Sequence, residues 1–206
     1  MPRTMTRISL AAALVALLAP LAIAAPEVGK PAPAFTGTTA DGKTLALADL
    51  AGRTVVLEWT NKDCPYVRKH YGTENMQALQ RDARERFDVV WLSVITSPPG
   101  EQGYLVADDA LAHVAEVKAA PSHVILDPEG TIGRAYGAVT TPQMFVIDGT
   151  GMLRFMGGID DKPSSNWATV EGATNYVRAA LEDLAAGRAV AEPVTRPYGC
   201  SVKYAS

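Results

Sequence analysis

Residues 54–67 read TVVLEWTNKDCPYV, and this stretch decides the fold. Thr54, Val55, Val56 and Leu57, followed by Trp59 and Thr60, form a β-branched and apolar run of the length expected for a buried central strand. Only Glu58 interrupts it. Asn61, Lys62 and Asp63 make a polar turn, and Cys64-Pro65 opens the next element. Proline suits the first helical position, where its missing N–H costs nothing. Beyond it Met76, Leu79, Ala83 and Phe87 recur on one helical face, with a kink or restart expected at Gly72-Thr73. A cysteine is thereby placed where a strand gives way to a helix, and there the unpaired N–H groups and the helix dipole favour a thiolate. Lys62, Arg68 and Lys69 push the same way, and Asp63 opposes them.

Working outward, residues 88–96 (DVVWLSVIT) read as a second buried strand closed by Ser97-Pro98-Pro99-Gly100. A helix is expected to begin near Asp108, a short strand at residues 123–126 and a helical turn around residues 132–136. Residues 143–147 and 152–156 flank Asp148-Gly149-Thr150-Gly151, a hairpin signature. A last helix is expected to carry Val170, Ala173, Val177, Ala180, Leu181 and Leu184 on one stripe and to stop at Gly187. Early βαβ units imply a parallel core and the hairpin adds antiparallel strands. The expected fold class is therefore α/β, a mixed central sheet flanked by helices on both faces.

The whole chain has 206 residues and a formal net charge of -3, which gives no electrostatic footprint for a phosphate backbone, so no nucleic-acid partner is expected. Its two cysteines lie 136 positions apart and its three histidines, His70, His113 and His123, share no ligand spacing with them, so no metal and no other cofactor is expected. Residues 1–24 carry Arg3 and Arg7, an apolar run, Pro20 and the Ala22-Ile23-Ala24 cleavage pattern of a secretory signal peptide. Membrane association is expected only if that segment stays uncleaved as an anchor. Its removal takes the net charge from -3 to -5 and places the mature protein in the periplasm or outside the cell, where disulfides persist. The expected division is a signal peptide at 1–24, one domain at 25–188 and an irregular tail at 189–206 that carries Cys200.

Taken together, Cys64-Pro65-Tyr66-Val67 after a strand, the segment Val28-Gly29-Lys30-Pro31-Ala32-Pro33-Ala34-Phe35, and Thr141-Pro142 before a strand resemble the thioredoxin-like superfamily. The similarity is to its redoxin branch, which holds peroxiredoxin-like proteins and secreted thiol-disulfide oxidoreductases. The ending Gly199-Cys200-Ser201-Val202-Lys203-Tyr204 resembles a peroxiredoxin-like subgroup. The resemblance implies that Cys64 is the attacking cysteine and that Thr141-Pro142 forms the cis-proline loop that binds the substrate strand. Pro65, Tyr66 and Asn61 would border the substrate. Implied partners are protein thiols and disulfides or a peroxide, together with a reducing protein. Three departures stand out: Val67 replaces the second cysteine of the C-x-x-C pattern, and Asn61 and Leu57 stand where a typical peroxiredoxin has threonine and proline.

Glu58, six residues before Cys64, stands where thioredoxins carry a buried acid that relays protons. On an apolar strand its pKa should be raised towards general-acid or general-base duty; a solvated edge-strand glutamate, or one paired with a cation, is the alternative. Cys200 is expected to pair with Cys64, either as a resolving cysteine on a movable tail or as a permanent staple. As a staple the long loop it closes would be worth on the order of 5 kcal/mol. Two functions follow: a thiol-dependent oxidoreductase, or a binding module whose cysteines only cross-link it. Trp59 and Trp91 read as core.

Overall fold

The computed structural model describes residues 25–205, so the segment read as a signal peptide lies outside the described residues. A hairpin of β1 (Thr36–Thr39) and β2 (Thr44–Ala46) leads into β3 (Val55–Trp59), α1 (Pro65–Gly72) and α2 (Asn75–Phe87). Next come β4 (Val90–Ile95), α3 (Ala107–Glu116), β5 (His123–Leu126) and α4 (Thr131–Ala135). Then follow β6 (Thr140–Thr141), β7 (Gln143–Ile147), β8 (Leu153–Gly157), α5 (Tyr176–Ala185) and β9 (Cys200–Ser201). Seven strands form one sheet in the order β2-β1-β5-β4-β3-β7-β8, and β6 pairs with β9 separately. Strands β3, β4 and β5 run parallel, while β7 and β8 are antiparallel, as the two sequence patterns require.

Strand β3 is buried along its whole length because both of its faces are covered. Alternation sends Val55, Leu57 and Trp59 to one face, against Phe35, Ile132, Tyr136 and Phe145. Val56 faces the other side, with Met76, Leu79, Trp91, Phe155 and Leu181. Each such side chain contributes about 1.5–3 kcal/mol by leaving water, which fixes the register of β3 and hence the place where the chain emerges towards Cys64.

The break between α1 and α2 falls where expected. Thr73 caps the end of the first helix, and Glu74, with a left-handed φ of 58°, is the N-cap of the second. The Trp167 ring lies so close to Gly72 that a Cβ there would sit 2.2 Å from it.

The last helix differs from its expected span. It starts at Tyr176, not near Val170; Trp167–Val170 is a separate 3₁₀ turn. The backbone between them is already engaged, with Thr174 N–H donating to the Asp161 carboxylate at 2.9 Å and Tyr176 N–H to the Ile159 carbonyl at 3.0 Å. Asn175 then caps α5 by accepting from Arg178 N–H. Val170 and Ala173 fit the helical stripe, but tertiary hydrogen bonds claim their segment first.

The tail has no period, yet it is held along its course. Met156 N–H donates to the Pro193 carbonyl and Thr195 N–H to the Met156 carbonyl, tying it to β8. It then forms β9, a short strand within a segment read as irregular. Beyond it Val202 N–H donates to the Val139 carbonyl at 3.0 Å and the Tyr204 hydroxyl to the Ala138 carbonyl at 2.6 Å.

Candidate active site

Cys64 is the N-cap of α1 and Pro65 is its first residue, the arrangement expected from sequence. Cys64 is completely buried. Its thiol donates to the carbonyl of Thr141 at 3.1 Å, across 77 positions of sequence. The Thr141-Pro142 bond is cis. Strand β6 therefore presents its last carbonyl to the sulfur, and Pro142 leads directly into β7, which pairs with β3.

Cys200 lies on β9. In the antiparallel β6–β9 pair it is directly across from Thr141. Gly199, just before it, passes so close to Thr141 that a Cβ would lie 1.9 Å from the Thr141 carbonyl oxygen, so no larger residue fits there. Both cysteines are free thiols in this structure; the bond expected between them is not formed, although both stand at one residue. Burial, together with the adjacent Cys64, raises the Cys200 thiol well above the ordinary thiol range. Cys200 is thus a thiol that holds its proton at neutral pH.

The other expected border residues divide. Pro65 is exposed and Tyr66 is half-buried, its ring packed edge-on against Tyr198 with centroids 5.9 Å apart. Asn61 is buried and already committed: its amide donates to the Gln102 carbonyl at 3.0 Å and its oxygen accepts from Asp63 N–H at 2.9 Å. It braces two loops. Among the described residues, no asparagine, threonine or arginine side chain donates a hydrogen bond to the Cys64 sulfur. Two of the three cations read as thiolate supports point elsewhere, Lys62 to Asp63 at 2.8 Å and Lys69 towards Asp160.

Glu58 is fully buried on a central strand, neither solvated nor paired with a cation. Its carboxylate accepts from Tyr71 hydroxyl and Trp91 Nε1, both at 2.8 Å, and from Gln80 Nε2 and Ser93 Oγ, both at 3.1 Å. Burial raises its pKa, and the four neutral donors only partly offset that effect. Trp59 and Trp91 are core, as read.

One cluster was not visible in the sequence. Lys69 and His70 on α1 are both buried and face Asp160, with Lys69 Nζ and His70 Nε2 each 3.8 Å from Asp160 Oδ2. The Tyr198 hydroxyl donates to the other Asp160 oxygen and lies 3.3 Å from Lys69 Nζ and 3.4 Å from His70 Nε2. Asn75 Nδ2 lies 2.8 Å from His70 Nδ1, which assigns the ring proton to Nε2 on the Tyr198 side. Burial drives His70 down to about 3, so the ring is neutral. Among the described residues no group of three or more His, Cys, Asp or Glu side chains could hold a metal ion.

This architecture is the thioredoxin-like fold. Among solved structures, an uncharacterized conserved protein from Geobacillus kaustophilus superposes with a TM-score of 0.75 at 24% identity, over 87% of this chain and 93% of its own. A hypothetical protein from Sinorhizobium meliloti 1021 gives 0.76 at 19% identity, over 89% and 97%. A putative thiol:disulfide interchange protein DsbE from Chlorobium tepidum gives 0.52 at 24% identity, over 64% and 85%. None of the curated protein sequences matches the chain. The profile of the AhpC/TSA family matches residues 28–156, the stretch that carries β3, Cys64 and the Thr141-Pro142 loop, and the chain belongs to the AhpC/TSA family.

Proposed function

We propose that the protein is an extracytoplasmic thiol-dependent oxidoreductase with Cys64 as nucleophile and Cys200 as resolving cysteine. The observation that carries this reading is the convergence of two cysteines on one residue: the Cys64 thiol bonds the Thr141 carbonyl, and Cys200 is paired with Thr141 across β6–β9. Cys64 also caps the start of α1, the position expected of the attacking cysteine.

The chemistry is thiol–disulfide exchange. The Cys64 thiolate attacks a disulfide RS–SR′, forming Cys64–SR and releasing R′S⁻. Cys200 then attacks the Cys64 sulfur, the Cys64–Cys200 bond forms, and its proton leaves with the departing group as RSH. The substrate is reduced and the two cysteines are oxidised; a reducing partner protein reverses the change on the enzyme. Because Cys64 has no exposed surface, a macromolecular disulfide reaches it only after local opening of the fold around it. Peroxide cleavage is disfavoured, since it needs donors beside the sulfur and Asn61 is engaged elsewhere. Glu58 is the internal acid of this reading, supported by its full burial and raised pKa. The leader-like sequence at 1–24 supports a periplasmic or secreted location.

The test is catalysed reduction of a protein disulfide by a dithiol donor. Wild type should turn over, Cys64→Ser should lose all activity, and Cys200→Ser should accumulate the mixed disulfide. Absence of turnover with both disulfide and peroxide substrates would return the protein to the alternative, a binding module with cross-linking cysteines.

A further inference from the structure

Three buried polar groups, Lys69 and His70 on α1 and Asp160 after β8, meet at one hydroxyl, and that hydroxyl belongs to the residue two before Cys200. Tyr198 donates to Asp160 and lies within reach of Lys69 Nζ at 3.3 Å and His70 Nε2 at 3.4 Å. Lys69 also sits over the Tyr198 ring, 5.3 Å from its centroid. Lys69 and His70 lie on α1, the helix that Cys64 caps, so this cluster ties the nucleophile's own helix to the strand that carries the second thiol. A hydrophobic anchor would hold the tail anywhere along an apolar groove, whereas a hydroxyl with three polar partners holds it in one register. Gly199 transmits that register, because it threads past the Thr141 carbonyl with no room for a side chain.

We infer that Tyr198 is a positioning residue: its hydroxyl, held by Asp160, Lys69 and His70, sets Cys200 opposite Thr141 and thereby governs closure of the Cys64–Cys200 bond. The inference rests on the proposed exchange reaction. It separates the two steps of that reaction, since attack of Cys64 on an outside disulfide does not use Tyr198 and ring closure does.

The experiment treats reduced wild type and Tyr198→Phe with oxidised glutathione and follows both steps by acid quench and mass spectrometry. Tyr198→Phe should form the glutathione adduct on Cys64 at least as fast as wild type, and close the intramolecular bond about tenfold to a hundredfold more slowly, the penalty of a small misplacement of reacting groups. Gly199→Ala should show the same split by displacing Cys200 without touching the cluster. Should Tyr198→Phe fail to fold, the double variant Lys69→Met with Asp160→Asn removes the buried charges together and leaves neither unpaired; it should reproduce the slow closure. Closure at the wild-type rate in a folded Tyr198→Phe or double variant would overturn the positioning role and leave the exchange reading intact. Failure of wild type itself to close the bond would overturn both.

Discussion

Three carboxylates are buried among the described residues, and two of them, Glu58 and Asp160, have opposite surroundings. Glu58 is met by four neutral donors, Tyr71, Gln80, Trp91 and Ser93. Asp160 is met by a lysine, a histidine and a tyrosine hydroxyl, and among the described residues its Oδ2 has no hydrogen-bond partner. Neutral donors let a carboxyl keep or lose its proton with modest rearrangement, so Glu58 is suited to moving a proton. Asp160 instead accepts from the Tyr198 hydroxyl and faces Lys69 and His70, so it is suited to holding something in place, and what it holds is the tail at Tyr198. On the proposed reading one group serves the chemistry of the site and the other its geometry.

The largest effect expected from this contrast is at Asp160. Replacing it by alanine strands the buried Lys69 charge, and breaking a buried pair in this way costs about 3–5 kcal/mol. Denaturant unfolding of the reduced protein checks it. A cost near zero would mean that Lys69 is neutral in the fold and that the cluster is not a charged anchor.

Histidine 70 gives a smaller, pH-dependent effect. Its folded pKa is depressed, so its contribution is present above the ordinary histidine value and is lost as pH falls from there towards about 3. The groups facing it are Asp160, Lys69, Tyr198 and Asn75. Unfolding measured between pH 7 and pH 5 should show stability falling by about 1.4 kcal/mol per pH unit below roughly pH 6.5, and His70→Gln should flatten that slope.

Glu58 should behave with the opposite sign. Its folded pKa is raised, so its contribution is complete below the ordinary carboxylate value and declines as pH rises through the folded value. Glu58→Gln, which mimics the protonated acid, should lose that decline and should shift the pH profile of Cys64 or Cys200 reactivity. An unshifted profile would make Glu58 a packing group only.

What could be read from the sequence was what local periodicity dictates. The run at 54–60 and the Cys64-Pro65 junction carry their own structural reasons, as does the turn at 148–151, and the structure places β3, α1 and the β7–β8 hairpin there. The start of α5 was misplaced because Thr174 and Tyr176 donate to residues 159–161, a non-local claim that no helical period reveals. The anchoring cluster was illegible for the same reason, since Lys69, Asp160 and Tyr198 have no common spacing. One trace of it was present. Val67, His70 and Tyr71 share a helical face, and a histidine on a stripe otherwise apolar asks for a buried polar partner. The tail looked free to move because it lacks a period, but it is held by single side chains rather than by a regular element.

The central claim is that Cys64 and Cys200 form one working redox pair at Thr141, and its most direct test is the reduction potential of that pair. Equilibration with a graded thiol–disulfide buffer, with the two thiols counted by alkylation and mass spectrometry, should give a reversible two-electron transition above about −300 mV, abolished in Cys64→Ser and in Cys200→Ser. A bond that resists reduction to well below about −300 mV, and whose reduction costs several kcal/mol of stability, would show a structural cross-link and contradict the account.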